Sequence, residues 1–354
     1  MERRRCDPDV VTYTAVMSAC ERSLQWQRAL GLLGDARRRG LALDEVLLVA
    51  AIHACERGRC WAGALEVVRE LVWRRGVGSS GDGAAASGDA TGVVSACNAV
   101  LITCVKCGKF GHVEQLLSDM QRGRCGCPAP DAMSYNIAIR TCNTDERWLR
   151  ALEFAGEMRA SLVETDAITV GATIGALGEG GRWRPAVFAL DSGRCSGLEL
   201  KVVPCNSAIS ACEKGREWKT AVALLEVMHR WEVVADTVSY SAALSACEKC
   251  KQWELALALV FEMLNSGLEM HVITCSAAVS ACEKGKRWDW ALWLLGAMQA
   301  WRLEPNQITY NAAISACEKG QVWRHALMLK EEMQSGRLEL DMITYSATIS
   351  ACEK

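Results

Sequence analysis

No run of eighteen apolar residues occurs in the 354-residue chain, so it offers no helix of the length needed to cross a bilayer. It also lacks an excess of charge of one sign. Forty Lys and Arg stand against 42 Asp and Glu, a formal net charge of -2. That balance excludes a binder that holds polyanions by general positive charge alone. Histidine is scarce, with five residues scattered and none at catalytic spacing from a cysteine or carboxylate. No acid–base centre is legible, and nothing calls for a cofactor, a metal ion, a membrane or a small-molecule substrate. The opening "MERRRCDPDV" carries three arginines but no long apolar or Arg/Ser-rich presequence. Half the residues are nevertheless apolar, enough for a substantial core.

The nineteen cysteines suggest a disulfide scaffold until their positions are read. Cys20, Cys55, Cys104, Cys142, Cys212, Cys247, Cys282, Cys317 and Cys352 occupy one place in a recurring unit, and Cys97, Cys205 and Cys275 share another. At such places cysteine acts as a small apolar side chain, and the usage fits a reducing compartment. Trp26, Trp61, Trp148, Trp183, Trp218, Trp253, Trp288 and Trp323 fall on the same 35-residue period, with Phe110 in the slot shifted by insertions. Units begin at Val10, Glu45, Val94, Ala132, Ala167, Val202, Thr237, Val272, Gln307 and Met342, which gives nine full repeats and a half.

The resulting map has a lead-in over 1–9 that resembles the tail of an earlier repeat, repeats 1–2 over 10–76 and a Gly/Ala/Ser-rich stretch over 77–93. Repeats 3–9 follow over 94–341, and the first helix of a truncated tenth over 342–354. Composition predicts disorder for 77–93. Within the ninth repeat, Ile308 to Lys319 reads as one helix, with Gly320 placed where its C-terminus would turn. Trp323 to Gln334 reads as the second. A lone helical hairpin cannot bury both its apolar faces, so the chain is expected to be all-α and to stack as a solenoid.

The unit opened by "ITYN" in the ninth repeat, with Ala at its twentieth place, Met at its twenty-seventh and Asp or Asn at its end, resembles the pentatricopeptide repeat family. Its uniform 35-residue length resembles the family's pure-repeat subclass. The resemblance implies a right-handed superhelix of hairpins that holds single-stranded RNA at one base per repeat. It also implies a place in plastids first and mitochondria second, an organellar transcript as ligand, and RNA-processing proteins as further partners. By the same resemblance, the fifth and last residues of each repeat read the base. Carried across, these are Thr14 with Asp44, Asn98 with Asp131, Asn136 with Asp166, Asn206 with Asp236, Ser241 with His271, Ser276 with Asn306, and Asn311 with Asp341. Val49 and Gly171 at the fifth place offer no side-chain hydrogen bond, and Ser241 with His271 is not a usual pair. The family's pairing tendencies then suggest G-x-U-U-x-U-x-A-U, with the RNA 5′ end at the protein's N-terminus.

The second residues, Val11, Met133, Ile168, Val203, Val238, Ile273 and Ile308, would wedge between bases, with Ser95 the departure. The thirteenth residues Lys106, Lys214, Lys249, Lys284 and Lys319 would meet phosphates. A glutamate one residue earlier in most repeats argues against strong non-specific binding, and pairing with lysines of adjacent units is one role open to it. Two other motifs have plainer readings. "CVKC" at Cys104 to Cys107, with Cys125 and Cys127 beyond, has near-zinc spacing, yet Cys104 sits at the common repeat place. The tryptophans are expected to pack between repeats rather than stack on bases. No deaminase or nuclease signature accompanies the repeats, so the expected activity is binding without catalysis. The rival reading is a protein-binding scaffold, and both ends suggest a piece of a longer protein.

Overall fold

The computed structural model describes residues 9–41, 43–78, 90–142, 147–336 and 338–353, the side chains of 75–78, 90 and 125 excepted. Among the described residues there are nineteen α-helices, one 3₁₀ turn and no strand. The chain is an all-α helical-repeat solenoid. Its contacts group into two units, whose described residues end at Thr169 in the first and begin at Val170 in the second.

The first unit holds α1 (Val10–Arg22), α2 (Trp26–Arg38), α3 (Glu45–Arg57), α4 (Trp61–Gly78), α5 (Ala90–Lys106), α6 (Phe110–Gln121), α7 (Ala132–Arg140) and α8 (Trp148–Ala160). Helix α9 (Ala167–Glu179) straddles the division. The second unit continues with α10 (Trp183–Cys195), α11 (Val202–Lys214), α12 (Trp218–Arg230), α13 (Thr237–Lys249), α14 (Trp253–Asn265), α15 (Val272–Lys284), α16 (Trp288–Ala300), α17 (Gln307–Lys319), α18 (Trp323–Ser335) and α19 (Met342–Glu353). In each unit the odd-numbered helices lie directly on one another, α1 on α3 on α5 on α7, and α11 on α13 on α15 on α17 on α19. The even-numbered helices rest in the seams between them, as α14 does against α13 and α15.

Most of the odd-numbered helices start where the last residue of the preceding repeat caps them. Asp9, Asp44, Asp131, Asp236 and Asn306 each accept the backbone N–H three residues on, at Thr12, Leu47, Ser134, Ser239 and Thr309. Each such cap contributes about 1 kcal/mol. Small residues then let neighbouring helices approach. In α17, Ala313, Ile314, Ala316 and Cys317 are fully buried. Burial pushes the thiols of Cys55, Cys212 and Cys282 up to about 12, and those of Cys247 and Cys317 to about 11. They stay protonated and pack as apolar groups.

The turn inside each hairpin differs from the sequence expectation. Gly320 keeps an ordinary φ of -85°, and the chain reverses at the next residue, Gln321, with φ of 58°. Leu24, Arg59, Arg216, Lys251 and Lys286 hold the same left-handed conformation at the same place. The glycine serves a different need. A Cβ at Gly58, Gly215, Gly285 or Gly320 would run into the ring of Trp26, Trp183, Trp253 or Trp288 of the preceding repeat. A cation two places later covers one of these rings, with Arg287 4.3 Å above Trp253, as Lys109 covers Trp61 at 5.5 Å. Where Cys107 and Cys250 replace the glycine, their thiols donate to the carbonyls of Arg59 and Arg216 at 3.2 and 3.1 Å. The tryptophans therefore tie each repeat to the next.

The 77–93 stretch is shorter than its composition suggests. Helix α4 runs through Gly78 and α5 begins at Ala90, so both ends of the stretch are helical. The predicted disorder over 79–89 lies outside the described residues, as do most of the 1–9 lead-in and Lys354.

Candidate nucleic-acid interface

In α11 the buried side chains are Pro204, Cys205, Ala208, Ile209, Ala211 and Cys212, all on one face. At 100° per residue, the second, fifth, ninth, twelfth and thirteenth places fall within an arc of roughly 100° on the opposite face. All the proposed ligand-facing residues therefore share one side of the odd-numbered helices. The second-place residues Val11, Met133, Ile168, Val203, Val238, Ile273 and Ile308 are 52–75% exposed, a recurrent line of apolar side chains in water. Such a line has no packing role within its unit.

Beside that line, the structure brings most of the expected fifth and last residues together. Asn98 donates through Nδ2 to both oxygens of Asp131 at 3.1 and 3.2 Å. Asn206 donates to Asp236 Oδ1 at 3.0 Å, and Asn311 to both oxygens of Asp341 at 3.3 and 3.1 Å. Asn136 reaches Asp166 at 3.5 Å, and its own Oδ1 is buried without a partner. Because the same aspartates cap helices, their positions are fixed by backbone as well as by asparagine. Burial acts to raise Asp236, but hydrogen bonds from the Ser239 backbone, Asn206 and the Ser239 hydroxyl outweigh it and hold the carboxyl below its usual range. Asp341 is lowered by the Thr344 backbone and hydroxyl and by Asn311.

Three expected pairs are not joined directly. Thr14 donates to the Val10 carbonyl at 2.8 Å, while Asp44 caps Leu47. Ser241 meets Thr274 at 2.8 Å instead of His271, whose side chain makes no cap. Ser276 meets Thr309 at 2.7 Å, and Thr309 in turn donates to Asn306 at 2.8 Å.

A hydroxyl recurs in these clusters that the sequence reading missed. Ser134 donates to Asn98 Oδ1 at 2.6 Å, Ser239 to Asn206 Oδ1 at 2.5 Å and Thr344 to Asn311 Oδ1 at 2.7 Å, each sharing its one proton with the capping aspartate at 2.8–3.0 Å. Each stands at the third place of the following repeat. The signal was present as Ser or Thr three residues after a capping Asp or Asn, a pattern ordinarily read as a helix start alone. In the first unit, a hollow of about 490 Å³ opens onto Asn98 and Asp131, bordered by His53, Ser95 and Met133. Thr91, on the extra first turn of α5, reaches its rim.

All five expected phosphate lysines are paired. Lys106 meets Glu56 at 3.2 Å, Lys214 meets Glu179 at 2.6 Å and Lys249 meets Glu213 at 3.0 Å. Lys284 meets Glu248 at 2.8 Å and Lys319 meets Glu283 at 2.5 Å. Each acid belongs to the preceding repeat, which gives the Glu-Lys doublet its role: the lysine answers one neighbour and the glutamate the other. These pairs are half-exposed, so each adds at most about 1 kcal/mol. Their effect on the field is larger, because the cationic stripe is neutralised in place. At the near-zinc motif, Cys104 is buried with its thiol pushed up to about 11, and Cys107 donates to a carbonyl. Cys125 lies outside the described side chains.

Comparison with known proteins gives a consistent picture. The family model described as "PPR repeat" matches residues 11–41, 95–125, 203–233 and 238–268. "Pentatricopeptide repeat domain" matches 258–319, and "PPR repeat family" matches 305–354. No curated protein is similar enough in sequence to count as a relative. Among solved structures, the pentatricopeptide repeat protein PPR10 from maize aligns with a TM-score of 0.51 at 18% identity, over 98% of this chain and 61% of that one. The chain thus spans under two thirds of that relative's length. PPR10 in complex with an 18-nt psaJ RNA element aligns with a TM-score of 0.47 at 19% identity, over 99% and 52%. The PPR domain of Arabidopsis thaliana protein-only RNase P 1 in complex with tRNA covers 51% of this chain and 95% of that domain, with a TM-score of 0.46 at 12% identity.

Proposed function

Since the chain belongs to the pentatricopeptide repeat family, we propose that the open faces of its odd-numbered helices bind single-stranded RNA in a sequence-selective way, one base per repeat. The observation that carries this reading is the recurring cluster at Asn98, Asn206 and Asn311. Each is an amide held at one end by a carboxylate and at the other by a hydroxyl, beside an exposed apolar side chain. A base edge needs donors and acceptors in fixed orientation, and the apolar neighbour offers a surface against its ring. An Asn–Asp pair suits uridine, whose edge presents two acceptors around one donor. Ser276 with Asn306 suits adenosine and Thr14 with Asp44 guanosine, by the family's tendencies.

Selectivity on this scheme comes from the clusters more than from phosphate contacts. The lysines reach a phosphate only by sharing or leaving their glutamates, so binding depends less on charge than a bare lysine row would make it. The chain acts by covering a transcript segment and not by cutting it, in an organelle, with plastids favoured over mitochondria and RNA-processing proteins as further partners. Fluorescence anisotropy with the oligomer G-x-U-U-x-U-x-A-U, against one whose uridines are changed to adenosine, tests it. The first is expected to bind at least tenfold more tightly, and equal affinities sink the reading. The neutralised lysine stripe favours one rival, a protein-binding scaffold. Partners that remain attached after nuclease treatment, with no oligomer preference, would select it.

A further inference from the structure

The third place of a repeat has no part in the pairing of fifth and last residues, yet its chemistry follows the fifth place of the repeat before it. Six repeats carry Asn or Ser at the fifth place. In every one, the next repeat carries Ser or Thr at its third: Asn98 with Ser134, Asn136 with Thr169, Asn206 with Ser239, Ser241 with Thr274, Ser276 with Thr309, and Asn311 with Thr344. The three remaining repeats have Thr14, Val49 and Gly171, and there the third place of the next repeat is Leu47, Ala96 and Pro204. Five of the six hydroxyls bond the fifth-place side chain at 2.5–2.8 Å. In the sixth pair, Thr169 donates to Asp166 and Asn136 Oδ1 stays unpartnered in a buried setting.

Helix capping does not account for this match. Helix α3 is capped by Asp44 with Leu47 at the third place, and α11 forms with Pro204 there. A hydroxyl demanded by capping alone would be indifferent to the fifth residue of the preceding repeat. The bond also has a chemical consequence. A hydroxyl that donates to Asn Oδ1 fixes which end of the amide faces Asp. Nδ2 then gives one hydrogen to the carboxylate and keeps the other for a ligand. At Ser276, whose hydroxyl donates to the Val272 carbonyl at 2.7 Å, Thr309 is the donor of their shared bond and divides its one proton between Ser276 and Asn306.

We propose that the third-place hydroxyl of each following repeat is a positioning residue of the base-reading cluster, so that one base is read by three residues drawn from two repeats. Ser239 holds Asn206 with its amide nitrogen outward, and Thr344 does the same for Asn311. The inference rests on the RNA reading above for its ligand, but not for its geometry.

Two measurements on the full chain test it. In anisotropy titrations, Ser239→Ala is expected to weaken the oligomer bearing uridine at its sixth position about three- to tenfold and to abolish the preference for uridine over cytidine there. Preference at the ninth position should be unchanged, and Ser239→Thr should retain wild-type behaviour. Unchanged discrimination at the sixth position, or an equal loss at every position, overturns the proposal. The second measurement needs no RNA. In NMR spectra, the Asn206 side-chain amide hydrogens should exchange measurably faster in Ser239→Ala than in wild type or Ser239→Thr. If wild type prefers no oligomer but this exchange effect appears, the RNA reading fails and the positioning role stands. If exchange does not change, the positioning role fails whatever the RNA does.

Discussion

The fifth repeat, which from Val170 on lies in the second unit, and the sixth beside it differ sharply on their open faces. In the sixth, Asn206 stands between Asp236 and Ser239, all three hydrogen-bonded. In the fifth, Gly171 has no side chain, Lys201 follows without a side-chain cap, and the Pro204 ring lies 3.4 Å from where a Cβ on Gly171 would sit. Behind those faces the packing is alike, with Ile174, Ala176 and Leu177 buried in α9 as Ile209, Ala211 and Cys212 are in α11. A repeat can therefore lose its Asn–Asp–hydroxyl cluster at three positions and keep its place in the stack. Packing and the proposed recognition use different faces of the same helix.

Writing the cluster into the silent repeat is the strongest way to break the contrast. Gly171→Asn with Lys201→Asp and Pro204→Thr is expected to tighten binding of an oligomer with uridine at its fifth position by about ten- to a hundredfold, read by anisotropy. Gly171→Asn alone should give far less, because the proline ring crowds the new side chain. The converse, Asn206→Gly, should cost about tenfold against uridine at the sixth position and leave the other positions alone.

A smaller effect blurs the contrast instead of reversing it. Changing Glu213, Glu248 and Glu283 to Gln releases Lys249, Lys284 and Lys319 from their partners. The slope of log affinity against log salt should steepen by up to about 0.7 per newly engaged phosphate, and mismatched RNA should gain more than matched. The smallest effect is with pH. Asp236 and Asp341 titrate below the ordinary 3.8 of an aspartate, so their bonds to asparagine hold above that value and fail as pH falls through the lowered one. Uridine preference at the sixth and ninth positions should be flat from pH 7 to 5 and decay only below about 4. The fifth repeat, with Lys201 in place of the aspartate, should show no such step.

The solenoid was legible because it is repetitive: a period of 35 carried by tryptophan, alanine and cysteine leaves little freedom in fold class. The partnerships across repeats were harder to read. Glu283 and Lys319 are 36 residues apart, whereas Glu318 beside Lys319 is what the eye meets first. Gly320 was placed at a turn because glycine commonly ends helices, but here the close approach of Trp288 is the stronger constraint. Composition predicts disorder to the ends of 77–93, yet α4 runs through Gly78 and α5 begins at Ala90. Ser239 was overlooked because a hydroxyl three residues after Asp236 already has a sufficient local explanation as part of a capping box.

The offset of these partnerships bears on where such a chain can be cut and rejoined. A segment excised at the sequence-defined bounds, Val202–Asp236, would leave Ser239 behind and separate Asn206 from its hydroxyl. Shifting both cuts by three residues, to Cys205–Ser239, carries Asn206, Asp236 and Ser239 together. The contacts then severed at each junction, tryptophan to glycine and glutamate to lysine, recur in several repeats and are expected to re-form with the new neighbour. Recombination in that frame exchanges one whole Asn–Asp–hydroxyl cluster at a time.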